Sequence, residues 1–110
     1  MRRLVPLSLA FSLCLPAAAH AGNLYGTLWL NNKPAPGAQI KITCADRQFD
    51  QTTDSEGEYR IFVSEKGRCI FRVTVGGQSG QTDVASYDNA IKYDFDLIPQ
   101  KGGGYTLARR

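Results

Sequence analysis

Few side chains in this sequence are suited to chemistry. Histidine, the commonest general base and metal ligand, occurs once, at His20. Cysteine occurs three times, at Cys14, Cys44 and Cys69. The last two lie in alternating segments, Ile40-x-Ile42-x-Cys44 and Cys69-x-Phe71-x-Val73-x-Val75, on the apolar phase of each. Side chains alternate across a strand, so both thiols face one core. A metal pair or a reactive thiol would use the same residue type. No Cys-x-x-Cys and no histidine beyond position 20 is present to complete a zinc site. A structural disulfide between Cys44 and Cys69 is the reading, and closing its loop of about 25 residues contributes about 3.5 kcal/mol in the chain-entropy model.

The remaining candidates are weaker. Ser55, Ser64, Ser79 and Ser86 have no base partner in the sequence. Asp83, Asp88, Asp94 and Asp96 form an acidic stretch but lack the spaced Asp/Asn-and-Gly loop of an EF-hand. Asp94 and Asp96 fall on the polar phase of a strand and read as a solvated face. Arg68 and Arg72 share a strand face, with Glu58 and Asp94 expected to balance them. Tyr87, in the polar turn Ser86 to Asn89, is expected to pack over the end of the fold. Tyr25 and Trp29 share one strand face about 13 Å apart, a spacing on which sugar rings could stack. The competing reading is that a neighbouring strand or the C-terminal tail covers Trp29, and a third is that the patch docks a protein partner. With no histidine past position 20, no catalytic residue, metal or cofactor is expected, and the chain is read as not an enzyme.

These residues need a scaffold, and the N-terminus says where it works. Arg2 and Arg3 precede an apolar run from Leu4 to Leu15, Pro16 breaks it, and Ala17-Ala18-Ala19-His20-Ala21 supplies small residues at the −3 and −1 positions. That is the pattern of a secretory signal peptide cut after Ala21. The run is shorter than the roughly 20 residues needed to span a bilayer, and Leu13 stands where a lipidated Cys14 would require a small residue. A periplasmic or secreted protein of residues 22–110 is expected, in a compartment where disulfides persist. Without Arg2 and Arg3 the net charge falls from +3 to about +1. That is not the cationic surface that nucleic-acid binding requires.

Alternation dominates residues 22–110, and no segment has a helical period. Leu24, Gly26, Leu28 and Leu30 oppose Tyr25, Thr27 and Trp29. Asn31 to Pro34 turns the chain, and Gln39 to Cys44 and Phe49 to Thr53 follow as strands. Asp54-Ser55-Glu56-Gly57 reads as a type I turn with Gly57 at positive φ, leading to inward Tyr59, Ile61 and Val63. Arg68 to Val75 is stopped by Gly76-Gly77. Gln78 to Asp83 reads as a loop, with a short strand near Val84-Ala85. Ala90 to Ile98 reads as one strand and Tyr105 to Ala108 as the last. The sum is a single all-β domain of seven or eight strands, a Greek-key sandwich with the disulfide within or between its sheets.

Two segments carry a family resemblance. They are Gly26-Thr27-Leu28-Trp29-Leu30-Asn31-Asn32-Lys33-Pro34-Ala35-Pro36-Gly37-Ala38-Gln39-Ile40 and Thr53-Asp54-Ser55-Glu56-Gly57-Glu58-Tyr59. Together they resemble the carboxypeptidase regulatory-like and Cna-B-like domains, small prealbumin-type β-sandwiches. The resemblance implies fold more than chemistry, because the scaffold hosts many roles. Some Cna-B-like domains carry a lysine isopeptide crosslink from the first strand, but Asn23 to Leu30 contains no lysine. Transthyretin-like hydrolases of related fold use histidine, arginine and a terminal Tyr-Arg-Gly-Ser, whereas this chain ends Tyr105-Thr106-Leu107-Ala108-Arg109-Arg110. The expected role is binding or structural support in the cell envelope, through an envelope protein or polysaccharide. The alternative is a carbohydrate-binding module using Tyr25 and Trp29.

Overall fold

Alternating side chains with one apolar face make sheets that must be covered, and the chain covers them by stacking two. The computed structural model describes residues 22–110; the expected signal peptide, residues 1–21 with Cys14, lies outside them. Ten strands follow in order: β1 (Asn23–Leu30), β2 (Lys33–Pro34), β3 (Gln39–Cys44), β4 (Arg47–Thr52), β5 (Glu58–Phe62), β6 (Gly67–Val75), β7 (Gln78–Ser86), β8 (Ile91–Lys92), β9 (Phe95–Pro99) and β10 (Tyr105–Arg109). The smaller sheet has the order β4-β3-β6-β7. The larger is built on β1, which pairs with β5 and β2 along one edge and runs parallel to β8 and β9 along the other, with β10 beyond β9. No helix among the described residues is long and apolar enough to cross a membrane.

The inward phases meet as expected of a sandwich. Leu24, Leu28, Tyr59, Ile61, Phe95 and Leu97 from the larger sheet close on Ile40, Ile42, Phe71, Val73 and Val84 from the smaller. Each fully buried Leu or Ile contributes about 1.5–3 kcal/mol relative to leaving it in water. Phe71 sits at the centre, with ring centroids 5.3 Å from Tyr59 and 5.0 Å from Phe95. Cys44 and Cys69 are bonded and continue the register of β3 against β6, in which Thr43 opposes Ile70. The bridge is therefore within one sheet, a cross-strand staple.

Three details differ from the sequence reading. Gln78 to Asp83 is not a loop but the first part of β7, nine residues paired throughout with β6. Gly76 and Gly77, at φ 57° and 80°, are the two-residue hairpin loop that pairs the strands. The segment reads as polar because β7 is an edge strand with only Val84 and Ser86 buried. Lys33 and Pro34, read as turn, form the short strand β2 against Leu30 and Trp29, with Asn31 and Asn32 at positive φ making the hairpin. An edge position suits Pro34, which has no N–H to give. The segment 90–98 keeps its apolar phase but breaks into β8 and β9 at Tyr93-Asp94. There the Tyr93 N–H donates to the Tyr25 carbonyl at 2.8 Å, and the Asp94 carboxylate takes the Thr27 N–H at 2.8 Å. Asp94 thus replaces a main-chain acceptor in the ladder and is not a solvated charge.

The two resembling segments meet in space. Buried Thr53 donates its hydroxyl to the Ala35 carbonyl at 2.6 Å and accepts the Ala38 N–H at 2.8 Å, pinning the Pro34-Ala35-Pro36-Gly37-Ala38 loop. Asp54 Oδ1 accepts the N–H groups of Glu56 and Glu58, each at 2.9 Å. Gly57, at φ 75°, passes its carbonyl to the Leu28 N–H, while the Leu28 carbonyl takes the Ala35 N–H, each at 2.9 Å. A Cβ at Gly57 would stand 2.8 Å from the Ala35 nitrogen. Left-handed strain and this clash together predict that Gly57→Val destabilises the fold by about 2–4 kcal/mol. Urea denaturation measures it, and an unchanged midpoint would contradict the turn's role.

Candidate functional site

The outward phase of β1 carries Tyr25, Thr27 and Trp29, and each meets a partner fixed by register. Tyr25 lies between Arg60 on β5 and Lys92 on β8, and the Arg60 guanidinium stands 5.0 Å over its ring. Thr27 opposes Glu58. Trp29 opposes Asp96 on β9. The guanidinium of Arg110 lies 4.4 Å over the Trp29 ring, its Nε is 3.0 Å from Asp96 Oδ1, and its Nη2 donates to Asn32 Oδ1 at 2.9 Å. The Arg110 N–H is also held by the Asp94 carbonyl at 2.8 Å. Both rings are half-buried, and each has a cation over its face, an arrangement stabilising by about 0.5–1 kcal/mol at exposed sites.

The Tyr25 end opens into a polar cleft of about 540 Å³ between β5 and the edge of β4, walled by Tyr25, Gln51, Asp54, Glu58, Arg60 and Lys92. Its groups are not equally available. Asp54 Oδ1 is engaged by turn amides, Gln51 donates to the Arg60 carbonyl at 3.2 Å, and Lys92 stands 3.6 Å from Asp94 Oδ2. The Arg60 side chain has no acidic partner among the described residues. Two cations beside a phenol suit a hydroxyl-rich or anionic ligand. Lysine, tyrosine and carboxylate groups in one cleft are also the materials of acid–base chemistry without histidine.

Other sequence candidates are dispersed. Asp83 stands 4.0 Å from Arg68, Asp88 is 2.8 Å from Lys66, and Asp96 serves Arg110. Arg68 and Arg72 are therefore not balanced by Glu58 and Asp94: Arg68 faces Asp83 across the β6–β7 hairpin, and Arg72 donates to Gln81 at 3.1 Å. Taking Gln78 to Asp83 as a loop hid both partners. Among the described residues no three His, Cys, Asp or Glu side chains are grouped to hold a metal. Tyr87 is 55% exposed, so it does not seal the end of the sandwich. Tyr59 and Tyr93 lie on apolar phases, as read from the sequence, but the sequence reading missed the bonds of their hydroxyls. The Tyr59 hydroxyl donates to the Tyr93 carbonyl at 2.7 Å, and burial, then the nearby Asp94 charge, raises its pKa far above the usual tyrosine range. Tyr93 accepts the Ala85 N–H at 2.9 Å through its own hydroxyl and lies under Arg109, 4.3 Å from the ring centroid.

Neither a family model nor a curated protein sequence matches the chain. Among solved structures it is similar to 5-hydroxyisourate hydrolase of Klebsiella pneumoniae, at TM-score 0.62 and 16% identity, over 81% of this chain and 93% of that one. The fold is therefore a prealbumin-type β-sandwich. This corrects the expectation that the chain is not an enzyme: a protein of the same fold is a hydrolase. Lack of histidine past position 20 does not exclude catalysis where lysine, tyrosine and carboxylates share a cleft. At this identity the likeness carries the fold and no activity.

The Arg110 contacts generate a direct expectation. Arg110→Ala should expose Trp29, shift its fluorescence to the red and cost about 1 kcal/mol. Unchanged emission would show that the guanidinium does not cover the ring.

Proposed function

We propose that this chain is exported, loses residues 1–21, and works in the periplasm or outside the cell as a single-domain binding module of the cell envelope. In this reading it is a free-standing counterpart of the carboxypeptidase regulatory-like and Cna-B-like domains. The carrying observation is the cleft in which Arg60 and Lys92 stand on either side of Tyr25. The Cys44–Cys69 bridge supports export, because such bonds persist in oxidising compartments.

The chemistry of the cleft favours a saccharide over an apolar ligand. Its walls are phenol, amide, guanidinium, ammonium and carboxylate, with no aliphatic floor. A sugar ring would take the Tyr25 face as Arg60 swings to an acidic or hydroxyl substituent. The second face, at Trp29, is closed by Arg110, so a platform spanning both rings requires that arginine to lift.

Isothermal titration with fragments of envelope polysaccharide tests the proposal on protein recovered from the envelope fraction. Tyr25→Ala and Arg60→Gln should each weaken binding about tenfold with little change in melting temperature. Trp29→Ala distinguishes the wider platform: it should abolish binding if both rings stack on sugar, and chiefly lower stability if Trp29 packs under Arg110. Full binding by the Tyr25 and Arg60 variants, or recovery of the chain from the cytosol with residues 1–21 attached, would refute the reading.

A further inference from the structure

The outer face of the smaller sheet carries a charge arrangement that folding does not explain. Lys41 on β3 lies directly opposite Arg72 on β6, and like charges in that relation destabilise a sheet. Asp50 on β4 opposes Lys41 from the other side. Yet neither Lys41 nor Arg72 has an acidic group within ion-pairing distance among the described residues. Among the described residues the one polar side-chain contact of the pair is the Arg72 guanidinium donating to Gln81. The pair sits in an open groove of about 570 Å³ with Gln39, Asp50, Thr52 and Thr74.

We infer that Lys41 and Arg72 form an oxyanion subsite for the acidic groups of an extended polysaccharide. Two adjacent cations, neither of them ion-paired although Asp50 stands across from Lys41, set a place for a carboxylate or sulfate, which would relieve their repulsion. The flanking row Thr52-Gln39-Thr74-Ser79 presents amide and hydroxyl groups to sugar hydroxyls. No aromatic side chain lines this groove, so it lacks the anchors that stable protein interfaces use. The groove also shares Gln51 and Thr52 of β4 with the Tyr25 cleft. An extended polymer crossing β4 would therefore meet both cation pairs, Arg60 with Lys92 and Lys41 with Arg72. The inference goes beyond the proposed function, because its residues stand on the other sheet and the Lys41→Gln/Arg72→Gln variant leaves Tyr25, Arg60 and Lys92 intact.

The experiment titrates wild type, Lys41→Gln/Arg72→Gln and Tyr25→Ala/Arg60→Gln with short and long oligogalacturonates, dextran sulfate, polyphosphate and neutral dextran at low salt. Long oligogalacturonate or dextran sulfate should bind wild type, neutral dextran should not, and Lys41→Gln/Arg72→Gln should weaken binding about tenfold or more. The same variant should melt at the same or a higher temperature, since it removes a repulsive pair; a lower melting temperature would mark the pair as structural and overturn the subsite. Binding unaffected by Lys41→Gln/Arg72→Gln, binding of neutral dextran equal to that of the acidic polymers, or binding of no polymer would also overturn it. Tighter binding of polyphosphate than of either acidic polysaccharide would overturn the polysaccharide assignment. Long-chain binding that depends on Lys41 and Arg72 but survives Tyr25→Ala/Arg60→Gln would sustain this subsite while refuting the Tyr25 cleft.

Discussion

The architecture depends on hydrogen bonds converging on both edges of β1. Five other strands make up the larger sheet, and four of them, β2, β5, β8 and β9, pair with β1 directly. The point of greatest constraint is Gly26 to Thr27. A side chain at Gly26 would collide with the Tyr93 carbonyl oxygen, and the Asp94 carboxylate bonds the Thr27 N–H. Missing bulk in one strand and a side-chain acceptor in its neighbour let β8 and β9 dock as two pieces of one edge. The Tyr93 carbonyl, turned out of the ladder at this break, is met by the buried Tyr59 hydroxyl. An unpaired buried acceptor there would cost about 1–3 kcal/mol.

The same strand joins core to surface. Its inward phase, Leu24 and Leu28, is fully buried, while its outward phase sets Tyr25 and Trp29 beneath Arg60 and Arg110. Whatever holds β1 in register therefore also spaces the cations of the Tyr25 cleft. The smaller sheet is stapled independently by Cys44–Cys69, so its outer face is positioned by the β3–β6 ladder rather than by β1.

The layers and the staple were legible in the sequence because they follow from local alternation. Cys44, Ile42 and Ile40 share a phase, as do Cys69, Phe71 and Val73, and a two-sheet core needs nothing more to bring them together. The Asp54 to Gly57 turn was legible for a similar reason, since the bonds that close it join Asp54 to Glu56, Gly57 and Glu58, all within four residues. β7 was not legible because an edge strand can be polar on both faces, and its pairing partner rather than its own pattern defines it. A cover over Trp29 from the C-terminal tail was among the readings of the sequence, but its chemistry, the Arg110 guanidinium, and the Arg60 cation over Tyr25 were hidden, because strand register alone brings these groups together. The exclusion of catalysis rested on absences alone, no histidine past position 20, no base partner for the serines and no terminal Tyr-Arg-Gly-Ser, while the fold is also that of a hydrolase.

The most direct measurement of the central role of β1 is amide hydrogen exchange at Thr27 in wild type and in Asp94→Ala. If the Asp94 carboxylate completes the ladder, the Thr27 amide is protected in wild type and exchanges about ten- to a hundredfold faster in the variant, corresponding to about 1–3 kcal/mol. Amides of the smaller sheet, such as Phe71, should be far less affected. Equal protection of Thr27 in both proteins would show that Asp94 does not complete the ladder of β1, and would contradict the account.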